Sequence, residues 1–122
     1  MDRAKIGRRG EERAARYLID QGFRVIERNV GARVGEIDLV AVDEDDTLVF
    51  VEVRYRRSES YGSPGETVTW QKRRKLNRIA LLYLKRKGWS DRVCRWDVIG
   101  ISGETGRVVH LRNAFDGDGN IR

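Results

Sequence analysis

The chain has 122 residues, 39% of them hydrophobic and 36% charged, with a net charge of +6 and a pI near 9.9. That length and apolar content suit a single domain spanning residues 1–122. A lone cysteine, Cys94, excludes an intrachain disulfide and a cysteine zinc site, and no apolar run approaches the roughly 18 residues that cross a bilayer.

With no apolar segment near the start to serve as a signal peptide, and no disulfide, a cytoplasmic setting is expected, with no membrane partner. The basic excess favours a polyanionic partner, nucleic acid before an anionic membrane surface. It equally describes a well-solvated surface.

Residues 7–21 read as a helix with Ala14, Ala15, Leu18 and Ile19 as its apolar stripe and Gly22 as its stop. Glu11 falls on that same face, one turn earlier. Its simpler reading is an acid that favours a helix N-terminus. Residues 23–29 form a short strand with Phe23, Val25 and Glu27 on one face, and residues 29–34 a glycine-containing turn.

Residues 35–54, GEIDLVAVDEDDTLVFVEVR, are two apolar runs split by a polar turn, hence a β-hairpin. If it folds about Asp45, Asp38 faces Glu52 and Glu36 faces Arg54. Alternation then puts Ile37, Leu39, Ala41, Val49, Val51 and Val53 on one face. The other face carries Glu36, Asp38, Glu52 and Arg54 at one end and Val40, Val42, Leu48 and Phe50 at the other. Like charges directly opposite repel. A divalent cation between Asp38 and Glu52 would relieve the repulsion, since carboxylate oxygens are natural Mg²⁺ ligands.

Residues 56–67 read as a Gly/Pro/Ser loop, either a plain surface loop or one that gates a substrate. Residues 68–87 form the longest helix, with Leu76, Ile79, Ala80 and Tyr83 facing the core and Gly88 ending it. One turn before Leu76, Lys72 joins that face. Around it lie Trp70, Arg73, Arg74, Lys75 and Arg78. Such a cluster can hold phosphates and stack a base, or can simply be the solvated side of the helix. Residues 92–101 form a strand that carries the charge of Asp97, residues 102–106 a turn, and residues 107–111 the returning strand. His110 lacks any metal-ligand partner spacing and reads as a surface or edge residue. The tail from Asp116 reads as loose.

The element order is therefore α-β-β-β-α-β-β, an α/β arrangement with a mixed central sheet flanked by helices. Glu11, Asp38, Glu52 and Lys72 are the charges directed inward. They form a candidate catalytic set in which a metal would activate water and Lys72 would orient it or stabilise negative charge.

Asp38 on one strand followed by Glu52-x-Arg54 on the next looks like the PD-(D/E)xK nuclease signature. Further motifs are Gly7-x-x-Gly10-Glu11-x-x-Ala14 with Tyr17-Leu18, then Arg28-Asn29, Gly35-Glu36-Ile37-Asp38-Leu39, Phe50-Val51-Glu52-Val53-Arg54-x-Arg56 and Arg95-Trp96-Asp97-Val98. Together they resemble the YraN-like family, itself similar to Holliday-junction resolvases. The resemblance implies a restriction-endonuclease-like core and a Mg²⁺- or Mn²⁺-dependent nuclease acting on structured or branched DNA, with a homodimer as in junction resolvases. It implies metal ligation by Asp38, Glu52, Glu11 and the Val53 carbonyl. Arg54 stands where the motif has lysine; it can bind phosphate but cannot act as a base. Either Lys72 takes the lysine's place, or the chain binds nucleic acid through residues such as Arg56, Trp70 and the arginines beside it without cutting.

Overall fold

The computed structural model describes residues 3–32, 35–56 and 68–116. The elements run α1 (Arg3–Asp20), β1 (Arg24–Ala32), β2 (Gly35–Val42), β3 (Leu48–Arg56), α2 (Trp70–Lys87), β4 (Cys94–Ser102) and β5 (Val108–Phe115). This is the order expected from the sequence. The loop expected over residues 56–67, whether plain surface loop or substrate gate, lies from residue 57 outside the described residues, as does the tail after Asp116.

The five strands lie side by side in the order β1-β2-β3-β4-β5. β1 to β3 form an antiparallel meander, α2 crosses over, and β4 returns parallel to β3. The mixed sheet has a core on each face. Ala14, Ala15 and Leu18 of α1 pack with Leu39, Ala41, Val49 and Val51. On the opposite face, Leu76, Ile79, Ala80 and Tyr83 of α2 pack with Val40, Val42, Leu48 and Phe50. The alternation expected for the hairpin thus holds at these positions. Ile37 departs from it, packing with the α2-side cluster. It lies beyond the last β2–β3 backbone pair, Leu39–Val51, where that ladder no longer dictates its facing.

Both helices end through glycine as the C′ residue. Phe23 N–H bonds back to the Leu18 carbonyl at 2.9 Å and Trp89 N–H to Leu84 at 2.8 Å, with Gly22 and Gly88 at φ +95° and +71°. The hairpin turn is held by Asp43, whose Oδ1 accepts from Asp45 N at 2.9 Å and Thr47 N at 3.0 Å.

β1 and β5 both run further than the sequence pattern predicts, which ends them at Asn29 and Leu111. Each contains a register shift and an asparagine in the left-handed region, Asn29 at φ +54° and Asn113 at φ +53°. Asn113 N–H is capped by Asp97 Oδ1 at 3.0 Å, and beyond it Phe115 stacks on Trp96 with ring centroids 4.9 Å apart. Strand pairing therefore continues past the bulge.

His110 lies on the edge strand β5, as one of its two expected readings had it, but its side chain is not on the surface. Its side chain is only 5% exposed, and its Nε2 lies 2.7 Å from Asp97 Oδ2 while Nδ1 meets Tyr17 Oη at 3.1 Å. Asp97 is fully buried and also takes Arg95 Nε at 3.0 Å. These bonds satisfy the charge in β4 and tie α1 to the far edge of the sheet. The charge is a packed structural group, as burial of a carboxylate demands.

Candidate metal centre

α1, β2 and β3 converge at the end of the β2–β3 ladder. The backbone pairing predicted for the hairpin is observed from Val42–Leu48 to Leu39–Val51, but the ladder stops there, short of the predicted Asp38–Glu52 pair. The next residue, Asp38, turns its carboxylate to the facing strand and accepts from Val53 N–H at 2.7 Å. Its side chain thereby continues the hydrogen bonding while staying at the rim of the core.

Glu11 of α1 and Glu36 of β2 join Asp38 there, and the three offer carboxylate oxygens all within 4.8 Å of one another. Glu36, two residues before Asp38, reaches the same cluster although the alternation breaks at Ile37 between them. It pairs with Gly31 of β1, not with Arg54 as the symmetric hairpin predicts. Arg54 instead sits 3.9 Å from Glu52 Oε1.

Glu52 is 3% exposed and borders the same cleft as Glu36 and Asp38, a hollow of about 470 Å³ also lined by Gly35, Lys72 and Lys75. Lys72, from the first turn of α2, reaches Glu52 Oε1 at 2.8 Å. The other oxygen, Glu52 Oε2, is buried and accepts no hydrogen bond from any described residue. A buried carboxylate oxygen without a donor is costly and needs a partner.

The protonation of the cluster follows from this crowding. Burial first, then the charges of Asp38 and Glu36, push Glu11 up to about 7. Burial, then Asp38, push Glu52 up to about 7 against the opposing pull of Lys72. Burial also raises Asp38, opposed by the Val53 N–H and Lys72. Four acids in one corner, with Lys72 and Arg54 both directed at Glu52, outnumber the cations that the described residues place among them. Oxygen-only donors in this number fit a hard divalent cation.

Asn29, on β1, is a site neighbour that sequence reasoning did not single out as functional. With its amide turned so that nitrogen faces the acids, Nδ2 lies 3.0 Å from Glu36 Oε1 and 3.1 Å from Glu11 Oε2. Its signal lay in the Arg28-Asn29 pair and in the tolerance of asparagine for left-handed backbone.

The basic cluster on α2 divides. Trp70 is 47% exposed with the Arg74 guanidinium 4.9 Å over its ring, and Lys75 and Arg78 face solvent. Arg73 does not belong with them. It is buried and donates to the Val68 carbonyl. Arg56 is half-buried at the end of β3.

The family described as Uncharacterised protein family UPF0102 matches residues 10–101, a stretch that contains Glu11, Asn29, Glu36, Asp38, Glu52 and Lys72. The chain belongs to UPF0102. A UPF0102 protein of Symbiobacterium thermophilum is 50% identical over 114 residues, covering 91% of this chain and 96% of the relative. One from Pelotomaculum thermopropionicum is 47% identical over 117 residues, covering 93% and 97%. Among solved structures, a repair endonuclease from Pyrococcus abyssi is similar over 79% of this chain and 39% of its own length, with 19% identity and a TM-score of 0.45. A complex of EndoMS with double-stranded DNA is similar over 71% of this chain and 34% of its own, with 19% identity and a TM-score of 0.41. The UPF0102 chain thus spans about two fifths or less of these larger proteins. Among its described residues no helix is long and apolar enough to cross a membrane.

Proposed function

We propose that the chain is a divalent-metal-dependent nuclease that hydrolyses phosphodiester bonds in structured or branched DNA. The observation that carries this reading is the orphaned Glu52 Oε2 beside three converging carboxylates. In a structural ion-pair cluster a buried carboxylate ordinarily has donors on both oxygens. Asp38, Glu52, Glu11 and the Val53 carbonyl would hold Mg²⁺ or Mn²⁺, with Glu36 completing the acidic set. Bound there, the cation would lower the pKa of a water and neutralise charge on the scissile phosphate.

The chain's own residues divide the remaining work. Lys72 Nζ, 2.8 Å from Glu52 and 40% exposed, can donate to a phosphate oxygen at the mouth of the cleft while fixing Glu52. That position supports Lys72 in the role of the motif lysine, with Arg54 as a permanent cation for the phosphate backbone. Trp70, Arg74, Lys75, Arg78 and Arg56 offer stacking and charge to the flanking nucleic acid. A four-way junction presents two symmetric strands for cutting, so a homodimer suits this reading. A cytoplasmic location accords with the lone Cys94.

The test is cleavage of four-way junction, flap, duplex and single-stranded DNA in Mg²⁺ or Mn²⁺ by wild type and Asp38→Asn. Cutting that requires both metal and Asp38 is expected. Its absence on every substrate removes the catalytic role. Arg54 at the lysine position favours a second reading, a module that binds nucleic acid without cutting it. That reading expects salt-sensitive binding unaffected by chelator.

A further inference from the structure

We infer that Asn29 is the positioning residue of the acidic centre, a neutral clamp that holds Glu11 of α1 and Glu36 of β2 at the spacing a divalent cation requires. The inference rests on the metal-dependent reading above.

Glu11 and Glu36 come from different elements, and their negative charges repel each other and Asp38. Side-chain rotamers alone would let both swing outwards. The Asn29 amide carries two N–H groups, and its nitrogen stands 3.0 Å from Glu36 Oε1 and 3.1 Å and 3.3 Å from the two oxygens of Glu11. One donor group therefore bridges both acids. The amide oxygen would otherwise face only acceptor oxygens, and turning the nitrogen toward them satisfies both acids. The backbone is suited to holding the amide there. Asn29 sits in β1 at φ +54°, a conformation that asparagine tolerates better than most residues.

The choice of an amide is the informative point. A lysine or arginine at this position would pair with the same acids more strongly. It would also supply the positive charge that a metal brings, and so compete with it. A neutral donor aligns the carboxylates and leaves their charge for the cation. Hydrogen-bonded neighbours that orient metal ligands in this way commonly govern metal affinity 10- to 100-fold.

The experiment is isothermal titration of the full chain with Mn²⁺, for wild type and Asn29→Gly, with Asp38→Asn as control. Glycine adopts the left-handed backbone readily and removes the side chain that carries the amide. Mn²⁺ affinity is expected to fall about 10-fold or more in Asn29→Gly. Equal affinity in the two proteins would overturn the role. A wild type that binds no Mn²⁺ would overturn the metal reading itself, and with it the purpose assigned to Asn29. The contacts are tested separately in metal-free protein by melting Asn29→Gly, Glu36→Ala and the double variant, since alanine removes the acceptor as well as the charge. A change in the double variant that differs from the sum of the two single changes is expected for partners in contact. Strictly additive changes would overturn the clamp whatever the Mn²⁺ result.

Discussion

Glu52→Gln should make the metal-free protein more stable at pH 8. Glu52 is buried, and its carboxyl is pushed from the ordinary 4.5 up to about 7, first by burial and then by Asp38. At about 1.4 kcal/mol per pH unit, keeping it ionised in the folded chain costs on the order of 3 kcal/mol, with the attraction of Lys72 already counted. The sign follows from linkage. A carboxyl raised in the folded state holds its proton more tightly folded than unfolded, so its contribution to stability is largest below about 4.5 and is lost as pH rises through about 7. Glutamine never ionises and escapes that loss. Imperfect packing of the amide in a site shaped for a carboxyl offsets some of the gain, while the Lys72 head, partly in solvent, regains water. We expect a net gain of about 1–3 kcal/mol at pH 8, or roughly 5–10 °C in Tm. At pH 5 the wild-type and variant melts should converge. Mn²⁺ should raise the wild-type Tm and barely move the variant. Melts by circular dichroism at both pH values, with chelator and with Mn²⁺, decide the matter. A variant less stable than wild type at pH 8 would mean that Glu52 is a structural partner of Lys72, and the reasoning from the orphaned oxygen would fail.

Mn²⁺ affinity should climb as pH rises through about 7 and level off above it, because Glu11 and Glu52 must shed protons to ligate; calorimetry at pH 6, 7 and 8 would show a flat profile if they do not hold them. Asp38→Asn should abolish cleavage yet fold well, since the amide oxygen can still accept from Val53 N–H; a fold-compromised variant on thermal melting would contradict that contact. Trp70→Ala and Arg74→Glu should weaken DNA binding with little change in Tm, whereas Arg73→Ala should cost about 1–3 kcal/mol of stability by exposing the Val68 carbonyl to an unfilled space; similar behaviour of Arg73 and Arg74 would refute the division. Gly31→Ala should lower both Tm and Mn²⁺ affinity, because a Cβ there would stand 2.2 Å from the Gly35 carbonyl and 2.9 Å from the Glu36 side chain; wild-type values for both would show that the β1–β2 end can yield.

The hairpin was legible in sequence because its two apolar runs are symmetric about one acidic turn, which leaves a single register that buries both faces. Glu11 and Lys72 were legible by helical period, one turn from the apolar stripes. The same period also places Arg73 three residues before Leu76, on the buried side. The expectation failed there because arginine is assumed to seek solvent, whereas its guanidinium found a backbone carbonyl at hand. The ends of β1 and β5 were hidden because asparagine reads as a turn residue, and a bulge breaks the period of two on which strand reading depends. Glu36 shared a face with Asp38 in the sequence, but only the packing of α1 brings Glu11 against both. His110 could not be assigned because its partners, Tyr17 and Asp97, are distant in the chain.

The connectivity of the centre also fixes an order of appearance. Asn29, Glu36, Asp38 and Glu52 lie in the β1–β3 meander, whose strand pairings are close in sequence, and Glu11 lies in α1 before it. Lys72 and the parallel β3–β4 pairing come later in the chain, and non-local parallel pairing forms slowly. A chain in which the meander forms first is therefore expected to gather Glu36, Asp38 and Glu52 before α2 brings Lys72 into place. At that stage only protons or a captured cation can quench the repulsion. Refolding should thus be faster in the presence of Mn²⁺ or at mildly acidic pH than at pH 8 with chelator, and stopped-flow rates that ignore both conditions would show that the meander does not assemble first.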